Sequence, residues 1–243
     1  MQKKYQFLDS NLLKLIAMIA MLIDHIGYCL FPEILWLRYI GRIAFPIFAF
    51  QIVEGYFHTK NKNKYALRLF VFALLTEIPF DLGLNYVLLE FTYQNVLFTL
   101  LCGVLMIHHL ERGLQRKGHL KTIHFIIAIV FLSIPFFIKA DYGYLGTLTI
   151  FVFYAANKMP EIRYLIMLVG LSYLHIFDST SINVPFLFTN LQMPIQGYAL
   201  GSIIPIFLYN GTQTKKLNTI RKIGYWFYPI HLLILFFIQF AMK

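Results

Sequence analysis

Long apolar segments alternate with short polar connections along the whole chain. About 20 helical residues span a bilayer, or somewhat fewer inside a bundle. Stretches that meet this condition lie at 12–30, 39–57, 66–84, 95–110, 122–138, 143–157, 162–178, 197–210 and 224–242. The pattern predicts an all-α, polytopic transmembrane helical bundle with about nine spanning helices. Segment 180–196 begins with polar residues and contains two prolines, so it is predicted to be a loop or a re-entrant segment.

The composition supports a membrane protein. Of the 243 residues, 59% are hydrophobic and only 13% are charged. Soluble domains are nearer half apolar and a quarter charged. Such a chain cannot hide its apolar residues in one water-soluble core, so lipid must cover part of it. We expect one integral-membrane domain over residues 1–243.

The basic residues are distributed unevenly between the two sets of connections. Sixteen of the 21 lysines and arginines fall in or beside alternate connections, and four fall on the other set. Short loops rich in lysine and arginine remain in the cytoplasm. We therefore predict a cytoplasmic N-terminus and a multi-pass protein of the plasma (inner) membrane. Membrane orientation accounts for most of the formal net charge of +10, and a nucleic-acid partner is not expected.

Several ionisable side chains lie inside the predicted spans. Each costs at least about 2.5–3.5 kcal/mol on insertion scales and is therefore a candidate for function. They are Lys14, Asp24, His25, Glu54, Glu77, Asp81, Asp178 and His231.

The first span places Lys14 and His25 on one helix face. Eleven positions separate them, which is a rotation of roughly 20° and about 16 Å along a helix axis. Both could line one interior channel, with Lys14 near the cytoplasm and His25 deeper as a general base. Asp24 is predicted to pair with a neighbouring helix or to orient the imidazole. Alternatively, Lys14 reaches the interface and Asp24 with His25 forms a structural pair.

The remaining candidates leave two interpretations open. Glu54 and His58 are four residues apart, as in a helix-stabilising pair. Glu77 and Asp81 flank Pro79, which fits either a polar outer vestibule or a capped helix end. The histidines at 108, 109, 119 and 124 do not have the spacing of convergent ligands, so no metal is expected.

Six blocks of the sequence together resemble the TraX family, which is named for the conjugation protein that acetylates the N-terminus of F-type pilin. The similarity extends over most of the chain and keeps the motif order. The blocks are LKLIAMI…IDHIG (13–27), GRIAFPIFAF (41–50), IVEGY (52–56), LTEIPFD (75–81), DYGYLG (141–146) and YPIHL (228–232).

The TraX family in turn looks distantly related to the transmembrane acyltransferases. That group has a basic residue, ten intervening residues and a histidine in the first helix, which Lys14 and His25 match with lysine in place of arginine. It also has an aromatic-Leu-x-His pattern in the last helix, which residues 228–231 approximate. The resemblance implies that acetyl-CoA enters from the cytoplasm and that His25 acts as base or acyl carrier. The acceptor would be reached from outside.

On this basis, a membrane-embedded acetyltransferase is predicted, with acetyl-CoA as co-substrate and no metal. His25 and Asp24 are the predicted catalytic residues. Lys14, Arg68 and Arg42 are predicted to bind the donor. The acceptor, a peptide, lipid or glycan, is predicted to contact Glu54, Glu77, Asp81, Asp141, Tyr142 and His231.

Two other functions remain open. A proton-coupled secondary transporter would use Asp24, Glu54 and Asp178 as a relay, although no inverted repeat is visible. A non-catalytic membrane assembly factor would not need a lysine and a histidine on one buried helix face.

Overall fold

The structure is a computed structural model that describes residues 5–176, 181–186, 189–213 and 218–242. Its helices, in chain order, are α1 Ser10–Cys29, α2 Leu35–Gly41, α3 Ala44–His58, α4 Lys62–Asn85, α5 Val96–Leu114, α6 Gly118–Phe137, α7 Gly143–Lys158, α8 Arg163–Ile176, α9 Ile203–Phe207 and α10 Asn218–Met242. Short 3-10 helices at Pro160–Ile162 and Ile195–Ser202 precede α8 and α9.

Polar side chains cap the helices that form the centre of the bundle. The Asp9 carboxylate accepts hydrogen bonds from the backbone N–H groups of Asn11 and Leu12, at 3.1 and 2.8 Å. Asn61 and Asn95 do the same at the starts of α4 and α5. A cap satisfies backbone donors that have no partner in the first helical turn. These helices therefore begin at polar residues that directly precede the apolar runs.

Helix α1 packs against α2, α3 and α10. Its inward face carries Leu13 and Ala17, both fully buried. They join one continuous hydrophobic core with buried residues of other helices, such as Ile47, Ile107 and Leu232. The ionisable residues of α1 contact two of these neighbours, since Asp24 pairs with Arg38 of α2 and His25 bonds to His231 of α10.

The outer helices expose apolar side chains, as expected where lipid is the solvent. On α6, Ala128 and Pro135 are the buried residues, and Ile126, Ile129 and Val130 are each at least half exposed. Five helices in the described part of the chain are long and apolar enough to cross a membrane: Ser10–Cys29, Leu35–His58, Val96–Leu114, Gly118–Phe137 and Ile223–Met242. The helical bundle is confirmed, while the count of about nine spans and the orientation remain predictions.

The segment predicted to be a loop or re-entrant piece forms an antiparallel hairpin. Strand β1, Ser181–Phe186, pairs with β2, Thr189–Pro194. A proline in each strand removes a backbone donor and disfavours a helix here. The strand pairing was not predicted, because a polar start and two prolines indicate a break in the helical pattern without indicating which residues pair.

Connections that were predicted to share one side of the membrane lie at the same end of the bundle. Gln94 and Ala140 form a bridge between the connections that precede α5 and α7. At the other end, Leu8 forms a bridge with Tyr209, two residues after α9. Tyr142 and Gly143 have positive φ values of 64° and 49°, and this turn starts α7 immediately after Asp141.

Candidate functional site

Three cavities lie in series along α1. The first, called the histidine cavity here, has a volume of about 330 Å³ and lining residues that include Asp24, His25, Arg38, Arg42, Asp141 and Tyr228. The second, the neck, has about 110 Å³ and is lined by Lys14, Met21, Phe48, Leu69, Tyr225 and Tyr228, among others. The third, the lysine cavity, has about 450 Å³ and includes Lys14, Gln51, Glu54, His58, Arg68 and Tyr225.

The neck shares walls with both larger cavities. Met21 and Tyr228 line the neck and the histidine cavity. Lys14 and Tyr225 line the neck and the lysine cavity. The neck is the smallest of the three and is mostly apolar. The arrangement places a narrow apolar section between two larger cavities whose walls carry charged side chains, along the α1 face that carries Lys14 and His25.

His25 forms a hydrogen bond with His231 of α10. Their Nδ1 and Nε2 atoms are 2.6 Å apart, and the two rings are nearly parallel with centroids 4.9 Å apart. His231 Nδ1 lies 2.7 Å from the carbonyl oxygen of Phe227. A carbonyl oxygen only accepts, so Nδ1 of His231 carries its hydrogen and its Nε2 accepts when the ring is neutral. His25 therefore donates from Nδ1, and its Nε2 keeps a lone pair for chemistry.

Asp24 is held by two arginines that flank the end of α2. Its carboxylate lies 2.9 Å from Arg38 Nη1 and 2.7 Å from Arg42 Nη2. Asp24 and Arg42 are each 8% exposed. Gly41 makes this approach possible, because a Cβ atom there would lie 2.2 Å from Asp24 Cβ. The buried charge of Asp24 is thus neutralised by two guanidinium groups in the wall of the histidine cavity.

Asp141 closes the same cavity from the turn before α7. One of its carboxylate oxygens accepts hydrogen bonds from the Tyr93 hydroxyl at 2.7 Å and the Tyr142 backbone N–H at 3.0 Å. Burial raises the pKa of Asp141, and the hydrogen bond from Tyr93 opposes that shift. Tyr142 stacks on Phe45 of α3 with ring centroids 3.8 Å apart. The predicted substrate residues Asp141 and Tyr142 therefore do line the cavity that contains His25.

The lysine cavity contains Lys14 together with the predicted donor residue Arg68. Arg68 is exposed and its guanidinium lies 5.9 Å from the Tyr65 ring and 6.0 Å from the Tyr225 ring. Lys14 packs beside Gly224, where a Cβ atom would lie 3.1 Å from its Cδ. The structure thus brings these two cations to one cavity at the end of the bundle opposite Asp141.

Several predicted placements need correction, and the first three concern Asp24, Arg42 and Glu54. The Asp24 carboxylate binds the two arginines, and His231 is the residue that hydrogen-bonds to the His25 imidazole and orients it. Arg42 belongs to the histidine cavity, apart from Lys14 and Arg68, because it pairs with Asp24. Glu54 lies in the lysine cavity, apart from the other predicted acceptor residues, where Tyr209 and Asn157 donate to it at 3.4 and 3.2 Å.

Glu77 and Asp81 hold the connection between α4 and α5 and do not line these cavities. Glu77 accepts hydrogen bonds from the backbone and side chain of Asn95, the cap of α5. Asp81 is fully buried and accepts from the Glu90 backbone N–H at 2.7 Å. Of the two interpretations of this pair, the structural one fits the contacts. The carboxylates are needed because they satisfy buried backbone donors.

The sequence reading missed Arg38, Tyr93 and Tyr228 as wall residues of the histidine cavity. Arg38 precedes Arg42 by four residues, and that spacing on a helix could have indicated a shared carboxylate. For the tyrosines, the sequence does not distinguish a cavity wall from an aromatic belt at the membrane interface. Asp178, named for a proton relay, lies outside the described residues, and the structure separates the other two relay residues, Asp24 and Glu54, into different cavities.

No group of three histidine, cysteine or acidic residues converges as a metal site within the described ranges. His109 and His124 approach each other, with 3.1 Å between their Nδ1 atoms, at the ends of α5 and α6 that face away from the histidine cavity. Two such nitrogens fall short of the three or four protein ligands usual for zinc.

Comparison with known proteins places the chain in a family. A protein named probable fimbrial assembly protein FimC, serogroup H1, from Dichelobacter nodosus is 32% identical over 238 residues, which cover 92% of each chain. An uncharacterised protein of Rickettsia prowazekii (strain Madrid E) is 32% identical over 135 residues, 55% of this chain and 50% of that protein. No solved structure matches. The family model for TraX protein matches residues 9–239, and the chain therefore belongs to the TraX family.

Proposed function

We propose that this protein is a membrane-embedded acetyltransferase that moves an acetyl group from acetyl-CoA to an amine or hydroxyl. The observation that carries the proposal is the pair of histidines: His25 lines the histidine cavity, and His231, which lines none of the three cavities, forms a hydrogen bond with His25 Nδ1. A histidine whose Nε2 keeps a lone pair, and whose other nitrogen is fixed by a partner, has the arrangement of a general base.

The hydrogen bond between the two histidines supports the following proposed proton transfers. His25 Nε2 takes the proton of the acceptor amine or hydroxyl as that atom attacks the thioester carbonyl carbon. When the tetrahedral intermediate collapses, the C–S bond breaks and the same nitrogen returns the proton to the thiolate. His231 accepts the Nδ1 hydrogen of His25 throughout and stabilises the imidazolium form. Phe227 fixes His231 in the tautomer that makes this possible.

The donor is proposed to bind in the lysine cavity. Lys14 and Arg68 supply positive charge for the phosphates of CoA. The apolar neck suits the thioester arm, which is uncharged and must reach His25 from that side. The acceptor would enter the histidine cavity between Asp141, Tyr142 and the arginine pair.

A second candidate is a role in fimbrial assembly without group transfer. It is favoured by the name of the Dichelobacter nodosus relative, which is a probable fimbrial assembly protein. An assembly factor needs surfaces for partner proteins, and its function should not depend on the chemical identity of a buried histidine. The two candidates also combine, if the acceptor is a peptide amine of a fimbrial subunit.

The deciding experiment is turnover by the purified protein in detergent or nanodiscs. Acetyl-CoA labelled in the acetyl group is incubated with peptide amines, glycan hydroxyls and lipid head groups, and the products are identified by mass spectrometry. We expect label on one acceptor class and release of CoA thiol in equal amount. If wild-type protein neither binds acetyl-CoA nor labels any acceptor, while His25→Asn still supports fimbrial assembly in cells, the assembly function without chemistry is correct.

A further inference from the structure

Tyr228 lies where the neck opens into the histidine cavity. Its side chain lines both cavities and the residue is 5% exposed. Its ring stacks against His25, with centroids 6.1 Å apart and an interplanar angle of 29°. Among the tyrosines that line the histidine cavity in the described part of the chain, Tyr228 is the one that also lines the neck. A thioester arriving through the neck would meet this side chain and His25 together.

Val96, the first residue of α5, lines the same two cavities as Tyr228. The N-terminus of a helix carries the positive end of the helix dipole, which favours negative charge nearby. An oxygen that becomes negative where the neck meets the histidine cavity would therefore be near this helix end as well as Tyr228. A tyrosine hydroxyl can donate one hydrogen bond to such an oxygen.

Several other donors around the histidine cavity already have partners. Arg38 and Arg42 bind the carboxylate of Asp24. The Tyr93 hydroxyl donates to Asp141. The histidines are occupied with each other and with the proton of the acceptor. Acyl transfer also requires a donor toward the oxygen that becomes negative in the tetrahedral intermediate.

We infer that Tyr228 is a further catalytic residue, whose hydroxyl donates a hydrogen bond to the thioester carbonyl oxygen. The inference rests on the proposed acetyl transfer. As the acceptor lone pair forms the new bond to carbon, the carbonyl π pair moves onto the oxygen held by Tyr228, and the acceptor proton moves to His25 Nε2. The oxygen pair then re-forms the carbonyl, the C–S bond breaks, and the thiolate takes the proton from His25. Tyr228 keeps its own proton throughout.

The first test is Tyr228→Phe, which keeps the stacked ring and removes the hydroxyl. Loss of one oxyanion donor lowers kcat by about 10²–10³-fold in other acyl-transfer enzymes, and we expect a loss of that order with the KM for acetyl-CoA within about twofold. Tyr144→Phe is the matched control, because Tyr144 is 43% exposed and lines none of the three cavities. An unchanged kcat in Tyr228→Phe would overturn the inference.

The second test needs no turnover. Acetyl-CoA with a ¹³C carbonyl is bound without acceptor, and its carbonyl stretch is read by difference infrared spectroscopy. Binding should move the band to lower wavenumber in the wild type and in His25→Asn, but not in Tyr228→Phe. A shift that persists in Tyr228→Phe refutes the role of Tyr228 and leaves the proposed acetyl transfer standing. Wild-type protein that shows the shift but acetylates nothing refutes the proposed function and leaves the contact supported. Absence of acetyl-CoA binding refutes both.

Discussion

The histidine cavity and the lysine cavity are of similar size but are built differently. In the first, Asp24 and Arg42 are buried and every charge named in its wall pairs with another side chain. In the second, Arg68 and His58 are exposed, and Glu54 binds Asn157 and Tyr209 and lies 4.0 Å from His58 Nδ1, as the spacing of Glu54 and His58 predicted. The first cavity is walled by buried groups that bind one another, whereas the second has exposed basic side chains.

This difference indicates a division of labour along α1. Groups that take part in chemistry must be positioned closely, which needs a supporting network of fixed partners. Groups that attract a charged donor act over longer distances and do not need such fixing. Substitutions in the histidine cavity should therefore affect catalysis or folding strongly. Substitutions in the lysine cavity should change donor affinity and leave the fold intact.

The largest expected effect is on thiol labelling, where a position is either labelled or unlabelled. It shows which side of the membrane each cavity faces. With Cys29 and Cys102 replaced by alanine, single cysteines are placed at Leu88, near the histidine cavity, and at Lys117, at the opposite end. An impermeant thiol reagent added to intact cells should label position 88 and not position 117. Labelling of position 117 from outside would reverse the predicted direction of donor entry.

The orientation prediction also shows what the sequence could provide. The alternation of apolar segments located most helices to within a few residues, because a membrane demands long apolar runs, and these begin at polar caps such as Asp9 and Asn95. Two predicted spans are not single α-helices: 39–57 covers the end of α2 and all but the last residue of α3, and 197–210 covers most of a 3-10 helix and the short α9 that follows it. The shared face of Lys14 and His25 followed from helix geometry alone. The structure accordingly places both on the walls of the cavities along α1.

Contacts between distant segments could not be obtained in that way. His25 and His231 are 206 residues apart, and periodicity gives no information on which helix packs beside which. The same limit explains the corrections at Asp24, Arg42 and Glu54. Each was assigned by chemical type, while its role depends on the neighbour that the fold brings to it, such as Asp24 for Arg42.

Replacement of His25 should produce the largest graded effect. His25→Asn removes the base, so turnover should fall by about 10²–10⁴-fold while acetyl-CoA affinity stays nearly unchanged. His231→Asn should give a smaller loss, because the base remains but its Nδ1 loses the ring that holds it. The measurements are steady-state kinetics and calorimetry on purified protein.

His119→Asn is the matched control for that series, since His119 is exposed on α6 and lines none of the three cavities. The His119→Asn protein should have the turnover rate of the wild type. A folded His25→Asn protein that binds acetyl-CoA and acetylates at the wild-type rate would exclude the mechanism.

Removal of the Asp24 charge should mainly destabilise the fold. Asp24→Asn leaves Arg38 and Arg42 close together in a buried wall without their carboxylate. Removing one partner of a buried ion pair typically lowers the free energy of unfolding by about 3–5 kcal/mol. Denaturant or thermal unfolding in detergent would measure the loss.

Glu54→Gln provides the comparison from the other cavity. This substitution removes the charge of Glu54, whose hydrogen-bond partners Asn157 and Tyr209 are neutral. The free energy of unfolding should therefore fall by about 1 kcal/mol, on the order of one hydrogen bond. Equal destabilisation by Asp24→Asn and Glu54→Gln would show that both cavities depend equally on paired charges, which contradicts the difference between them.

The smallest expected effects are on donor affinity. Lys14→Ala and Arg68→Ala each remove a cation from the lysine cavity, and a charge-assisted hydrogen bond contributes about 1–3 kcal/mol to binding. Arg68 should lie at the lower end of that range, because it is exposed to water and salt. The measurement is CoA affinity by calorimetry at two salt concentrations. Lys121→Ala removes the same charge from an exposed position on α6 outside all three cavities, and it should leave the affinity unchanged. If Lys121→Ala weakens CoA binding as much as Lys14→Ala does, the cations act through net charge and the donor does not bind in the lysine cavity.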